Sequence, residues 1–262
     1  MSELMQSTAW RMDMPARYGV FHWVFTAILL ALTIFAAWRL RHTNEKQNRV
    51  VLGVVGAFLL VTEVYKIAFH MTVNPYDWEF FGCFPFQLCS VPMYLCIVCA
   101  LCKNERVNAW LYECMFAVNM FGGIMAFLEP SGIQHSYVTL TVHAYVWHMM
   151  LVFVGFYLYA SRRVCTQSRF CYKGIAVFLG TCVIAQVFNL VFAGEVNCFY
   201  ISPYVQSPLA VFKDIYAACG WVVNMVLFIF GLTIAATLVY YIGYAARRLT
   251  ASKTARTEKQ TV

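Results

Sequence analysis

Charge is the scarcest commodity in this chain. Only 12% of its 262 residues are charged while 61% are hydrophobic, whereas a soluble domain is nearer a quarter charged. That deficit excludes a water-soluble domain and leaves an integral membrane protein. No Ser/Gly/Pro-rich linker, change of composition or fixed-period repeat divides the sequence, which argues for a single unit. There is no Walker loop, zinc-type Cys/His spacing or G-x-S-x-G elbow, so nucleotide, zinc and serine-hydrolase chemistry lose their usual signatures and no metal or cofactor is expected. The formal charge of +7 comes with no groove-reading motif, so nucleic acid is not an expected partner. The first apolar run is too long for a signal-peptide core and lacks a small-residue cleavage site, which predicts a retained anchor.

Seven apolar stretches fill the chain, at 18–38, 50–70, 85–101, 109–128, 136–160, 175–192 and 218–244. A hydrocarbon core about 30 Å thick takes roughly 20 helical residues to cross, and backbone in lipid must satisfy itself, so these stretches are expected to be helices. The third is the shortest and crosses if it stands upright, or if the aromatic run Trp78-Glu79-Phe80-Phe81 before it sits at the interface. The fold class is thus all-α: a polytopic membrane protein with a single bundle of seven transmembrane helices. Arg39, Arg41, Lys46, Arg49, Lys103, Arg106, Arg162, Arg163, Arg169, Lys173, Arg247 and Arg248 collect on one side, with Lys253, Arg256 and Lys259 after them; Arg11, Arg17 and Lys213 fall on the other. The positive-inside rule then places the N-terminus outside and the C-terminus in the cytoplasm. The expected division is an interfacial segment over 1–17, the transmembrane domain over 18–245 and a basic cytoplasmic tail over 246–262. The positive balance reads as an orientation signal and as contact with anionic lipid headgroups.

Glu63, Lys66, His143 and His148 interrupt these apolar segments, where an unpaired charge costs on the order of 2.5 kcal/mol or more. With the faces assigned as above, they fall in the outward half, together with Cys89, Gln186 and Asn189. Glu63 and Lys66, three apart, share a helical face and can pair, either as a packing clamp or as part of a site. His70, nearer the interface, is expected to be solvated. His143 and His148 are five apart, about 140° around a helix, so they do not form an adjacent-turn metal pair; one faces a pocket while the other bonds a neighbouring helix. Each is equally compatible with a satisfied packing role.

Cys89 follows Pro85-Phe86-Gln87-Leu88 and precedes Ser90-Val91-Pro92. Pro92 removes a backbone donor and leaves the Leu88 carbonyl without its usual partner, exposing polar backbone beside the thiol. A cysteine within reach of an imidazole can attack a carbonyl carbon as thiolate. Most of the eleven cysteines read as small apolar fillers, including the overlapping C-x-x-C spacings of Cys96, Cys99 and Cys102. Cys83 and Cys198 both fall in outward loops, where a disulfide is chemically compatible. Gly122 and Gly123 predict a close helix approach; Glu113 is expected to snorkel from the cytoplasmic end, and Glu129 to sit at a pocket rim or in solvent.

Glu63, the Pro85-Phe86-Gln87-Leu88-Cys89 run, Pro130 after a Gly-containing helix, the spaced His143 and His148, and Asn189 with Asn197 together resemble the YwaF-type integral membrane proteins of bacteria. That group is related to the animal lipid enzyme transmembrane protein 164, and the resemblance runs from about Glu63 to Pro203. It implies seven helices, a multi-pass place in the bacterial plasma membrane, and acyl transfer onto lysophospholipid through a cysteine and a histidine. Cys89 would be the nucleophile and His148 the general base, with His143 second in line and Glu63, Lys66, Gln87, Asn189 and Asn197 supporting or binding substrate. Asn189, or a backbone donor near Pro92, would steady the oxyanion. The expected partners are a membrane phospholipid or lysophospholipid and the bilayer. This sequence departs from the family pattern in its extra cysteines at 96–102 and in Gln87, where His or Glu is common. The competing readings are a proton-coupled or small-molecule transporter and a non-catalytic membrane protein with a buried Glu/Lys/His network.

Overall fold

The computed structural model describes residues 2–73, 84–164 and 170–260. Nine α-helices account for most of them: α1 (Ser2–Ser7), α2 (Val20–Leu40), α3 (Glu45–Val73), α4 (Val91–Leu101), α5 (Glu105–Cys114), α6 (Met120–Leu128), α7 (Val138–Ala160), α8 (Tyr172–Val191) and α9 (Ala210–Gln260). A π-helical turn, Met115–Asn119, joins α5 to α6 as one continuous rod. Among the described residues there is no β-strand, only an isolated bridge between Arg11 and Tyr137. Among the described residues, six rods are long and apolar enough to cross a membrane: α2, α3, the combined Glu105–Leu128, α7, α8 and the Val211–Thr250 part of α9.

The third apolar stretch differs from the expected membrane-crossing helix. Its α4 covers only Val91–Leu101, about 16 Å at 1.5 Å per residue. The reason lies in Pro85 and Pro92: the latter sits in the first turn of α4, and helix cannot easily continue backward through a residue that lacks an N–H. Residues 84–90 therefore form irregular turns, with Phe86 N bonding Phe84 O at 2.8 Å and Ser90 N bonding Gln87 O at 2.8 Å. The aromatic run 78–81 lies outside the described residues.

Several helix starts follow from the sequence. Asn44 and Gln47 exchange side-chain to backbone bonds, each 2.9 Å, at the start of α3, a reciprocal cap. Asn104 accepts from Arg106 N and Val107 N to start α5. Glu113, expected to snorkel, is instead 2% exposed and accepts from the backbone N–H groups of Lys173 and Gly174 at 3.0 and 3.1 Å. A carboxylate there satisfies orphan donors and meets the positive end of the α8 dipole. Burial follows from that partnership.

Packing runs α3 on α4, α2 and α6 on α7, and α5 on α8, with α9 against the π-turn. Met115, Phe116, Ala117 and Val118 of that turn are all buried at the centre of the main core, beside Tyr157, Phe178 and Tyr240. At Gly123 α6 comes close to α7: a Cβ there would lie 2.9 Å from the carbonyl oxygen of His148, whereas one on Gly122 would meet nothing. α9 bends at Gly220, whose φ of 80° only glycine adopts freely. The outer faces stay apolar, with Phe35, Val54, Val183 and Ile242 all exposed, which suits hydrocarbon and not water.

The two ends of the bundle differ. At the basic end Arg163 pairs with Glu45 and donates to Thr43 O, and Arg247 donates to Val164 O and Tyr159 O. At the other end the N-terminal segment folds back as a strap. Thr8 Oγ1 meets Tyr65 OH at 2.5 Å, Thr139 Oγ1 donates to Thr8 O at 2.8 Å, and Val138 N donates to Trp10 O at 2.9 Å.

Candidate functional site

Below the strap, α3 carries Glu63 and Lys66 one turn apart. Glu63 is 2% exposed and its Oε1 receives Lys66 Nζ at 2.7 Å; its Oε2 is buried with no partner among the described residues. Lys66 also faces the Trp147 ring, 5.9 Å from the centroid. His70 departs from the expectation of a solvated side chain. It is 5% exposed because α1 lies over that end of α3, with Met5 packed by Phe69 and Gln6 reaching Thr72 O.

Lys66 is the common neighbour of the cluster. It acts electrostatically on Cys89 and on four of the six histidines in the chain, His70, His135, His143 and His148. Of these, His135 lies in the loop before α7, where burial first and the Lys66 charge second hold it below its ordinary 6.5. Glu129, in the same connection, is exposed and pairs with Arg17 at 3.7 Å. The Ser131 hydroxyl, first among several contacts, holds its carboxyl below the usual range.

The turn that presents Cys89 is held from both sides. The carbonyl orphaned by Pro92 accepts from Asn119 Nδ2 (Leu88 O, 3.4 Å), and the next one accepts from Trp147 Nε1 (Cys89 O, 3.0 Å). Asn119 reaches it from the π-turn, a helical irregularity frequent at functional sites. Trp147 reaches it from α7, directly beside His148.

The two α7 histidines point differently, as their spacing requires. His143 lines a cleft between α3 and α7, with its Nε2 buried and unpartnered and its ring 5.4 Å from that of Trp147. His148 turns Nδ1 onto the Ala144 carbonyl at 2.8 Å. A carbonyl only accepts, so Nδ1 carries the proton and Nε2 of the neutral ring keeps its lone pair. Among the described residues no hydrogen bond joins the Cys89 thiol to either imidazole.

Gln87, Asn189 and Asn197 form a clasp. Gln87 Nε2 donates to Asn197 O at 2.8 Å and its Oε1 accepts from Phe199 N at 3.0 Å. Asn189 Nδ2 donates to Cys198 O and its Oδ1 accepts from Cys198 N, at 3.1 and 2.7 Å. Asn197 accepts from Ser202 N and donates to Val205 O and Gln206 O. Both ends of the Asn189 amide are therefore committed to loop backbone, which takes it away from the oxyanion role anticipated for it. Cys198 is a buried free thiol, pushed up to about 11 by burial; Cys83, its anticipated disulfide partner, lies outside the described residues.

The clasp stabilises a strained pair. Phe199 and Tyr200 both have φ of 58°, a left-handed conformation costing roughly 1–2 kcal/mol for a residue with a side chain. Tyr200 sits within this loop, where burial first, and then the Cys89 thiol, push its hydroxyl up to about 12. Tyr200, Asn119 and Trp147 were not candidates in the sequence, since tyrosine and tryptophan in an apolar chain read as packing. Two further polar clusters escaped for the same reason: His22 Nδ1 with Tyr145 OH at 2.8 Å, and Asn48 between Tyr112 and Tyr157.

Among the described residues no group of three or more His, Cys, Asp or Glu is placed to hold a metal ion. The fold defines a polytopic helical membrane protein, with the Glu63 carboxylate buried and Cys89, His143 and His148 half-buried. The sequence model of the TMEM164 family matches residues 17–244, and the chain belongs to that family. No curated protein and no solved structure matches it.

Proposed function

We propose that the protein is a membrane-embedded lipid acyltransferase or transacylase in which Cys89 is the nucleophile and His148 the general base, with His143 in reserve. The observation that carries this reading is the double tether of the Cys89 turn, by Asn119 and by the Trp147 next to His148. It holds the Cys89 turn against α7, the helix whose His148 has a tautomer that leaves Nε2 able to accept a proton. Unliganded sites often hold such pairs apart until substrate arrives.

In the first step Nε2 takes the thiol proton and the Cys89 sulfur attacks the ester carbonyl of a phospholipid. The carbon–oxygen ester bond breaks, the acyl group stays on sulfur as a thioester, and the departing alkoxide takes the proton from His148 to leave as a lysophospholipid. In the second step the hydroxyl of another lysophospholipid gives its proton to His148 and its oxygen displaces the thiolate, which is reprotonated. With Asn189 committed to Cys198, Tyr200, on the loop that Gln87 holds through Phe199 N, is the candidate oxyanion donor. Gln87, Asn189 and Asn197 then support the site by holding the loop that carries Tyr200, and Glu63 with Lys66 sets the local charge.

The positive-inside distribution supports an outside N-terminus, a cytoplasmic C-terminus and a site in the outer half of a cell membrane, with α4 and the turns before it making the seventh pass. Transfer of a labelled acyl chain between lipids in proteoliposomes tests the function. It is expected for the wild type and lost in Cys89→Ala; equal transfer in both overturns it. A proton-linked transport reading is favoured by the unpartnered Glu63 Oε2 and the four histidines around Lys66. It wins if Glu63→Gln abolishes uptake while Cys89→Ala and His148→Ala leave it intact.

A further inference from the structure

The cleft between α3 and α7 is walled in part by His143 and Trp147, but its volume is not used by the chemistry above. Phe58, Thr62 and Tyr65 recur along one stripe of α3, and Thr139, Val142, His143, Val146 and Trp147 along the facing stripe of α7; together they enclose about 230 Å³. The α3 stripe runs from Phe58 to Tyr65, seven helical steps or roughly 10 Å at 1.5 Å each. Its hydroxyls are committed elsewhere: Thr62 bonds the Phe58 carbonyl, while Tyr65 and Thr139 both bond Thr8 of the strap. What remains facing the cleft is hydrocarbon and aromatic surface.

We propose that this cleft binds one acyl chain of a glycerophospholipid, taken sideways from the bilayer and closed to the aqueous phase by the N-terminal strap. Three observations select that occupant. The side toward lipid is open, with Phe58 and Val142 exposed at 40% and 38%. The end toward water is shut, because the strap is bonded to the two cleft residues nearest it, Tyr65 and Thr139. A cation stands at that same end: Lys66, next to Tyr65, pairs with the buried Glu63 at 2.7 Å and still keeps 28% of its side chain exposed, which leaves ammonium donors for a lipid phosphate. The Trp147 indole is the wall shared with the Cys89 turn, since one ring lines the cleft and donates to the Cys89 carbonyl. An ester at the upper end of a chain seated here lies one side chain from that turn.

The inference uses the bilayer placement of the fold and not the thioester, so the two are tested apart. A phosphatidylcholine with a photoactivatable group in its acyl chain is added to proteoliposomes of the full chain, irradiated, and the labelled peptides are mapped. Labelling is expected on the wild type within 58–65 and 139–147, and to persist in Cys89→Ala. Val142→Trp, which fills the cleft, is expected to lower it about tenfold, equivalent to about 1.4 kcal/mol of binding. Val61→Trp, on α3 but outside the cleft lining, is expected to leave it unchanged. A diacylglycerol carrying the same chain should label less than the phosphatidylcholine. Labels mapped elsewhere on the wild type, or equal labelling of the Val142→Trp and Val61→Trp proteins, overturn the site, and equal labelling by the two lipids overturns the phospholipid assignment.

Discussion

At the scale of single residues, the site depends on backbone groups being satisfied by side chains from other helices. Trp147→Phe keeps an aromatic ring but removes the indole donor to the Cys89 carbonyl, leaving a buried acceptor at a cost of about 1–3 kcal/mol. The expected outcome is a lower melting temperature in detergent and slower acyl transfer; an unchanged melting temperature contradicts the tether. Tyr200→Phe removes only a hydroxyl and is expected to lower kcat by about 10²-fold or more, the scale of an oxyanion donor, with little change in KM. His135 carries a pH effect. Its value in the folded protein lies below 6.5, so the unfolded chain binds more protons as pH falls. Its stabilisation is fully present above 6.5 and lost as the pH drops through its folded value. His135→Gln is expected to flatten the fall of melting temperature below about pH 6.5, and an identical slope contradicts it. Much at this scale was legible in advance. The ionisable residues were conspicuous in an apolar chain, and Pro92 announced an orphaned Leu88 carbonyl. What supplied the missing donor was not legible, because Asn119 and Trp147 lie far from Cys89 in sequence and only packing joins them.

At the scale of elements, helix contacts decide where the histidines point. Gly123 gives α6 its approach to the His148 turn, with 2.9 Å to the carbonyl oxygen for any added Cβ, whereas Gly122 faces open space. Gly123→Ala is therefore expected to cost about 1–3 kcal/mol through overpacking, while Gly122→Ala should be neutral or slightly stabilising. Thermal unfolding of the two variants side by side checks this, and equal behaviour contradicts the assigned contact. The glycine pair was legible as a close approach, but which member makes it depends on the rotation of α6, to which the π-turn contributes. The third stretch was legible as apolar and only partly as helix, since the consequence of Pro85 and Pro92 was to break its first turns and free the thiol-bearing segment. Glu113 went the other way. A carboxylate near a helix end in an apolar chain reads as reaching for water, yet the start of α8 offers two backbone donors that hold it buried.

For the whole molecule, hydropathy defined an all-helical membrane protein, and the six long apolar rods with membership of the TMEM164 family agree with it. The convergence of α3, the 84–90 turn, α7 and the 192–209 loop was foreseeable only as an alignment of depths; the strap, the clasp and the strained Phe199–Tyr200 pair are products of the tertiary fold. That convergence matters if it creates a nucleophile, and the direct measurement is the acyl-enzyme itself. Purified protein incubated with a phospholipid carrying a tagged acyl chain is expected to acquire a hydroxylamine-sensitive label on Cys89. Cys219→Ala, which removes an exposed free thiol, should keep the label and Cys89→Ala should lose it. A label undiminished in Cys89→Ala contradicts a site built around that thiol.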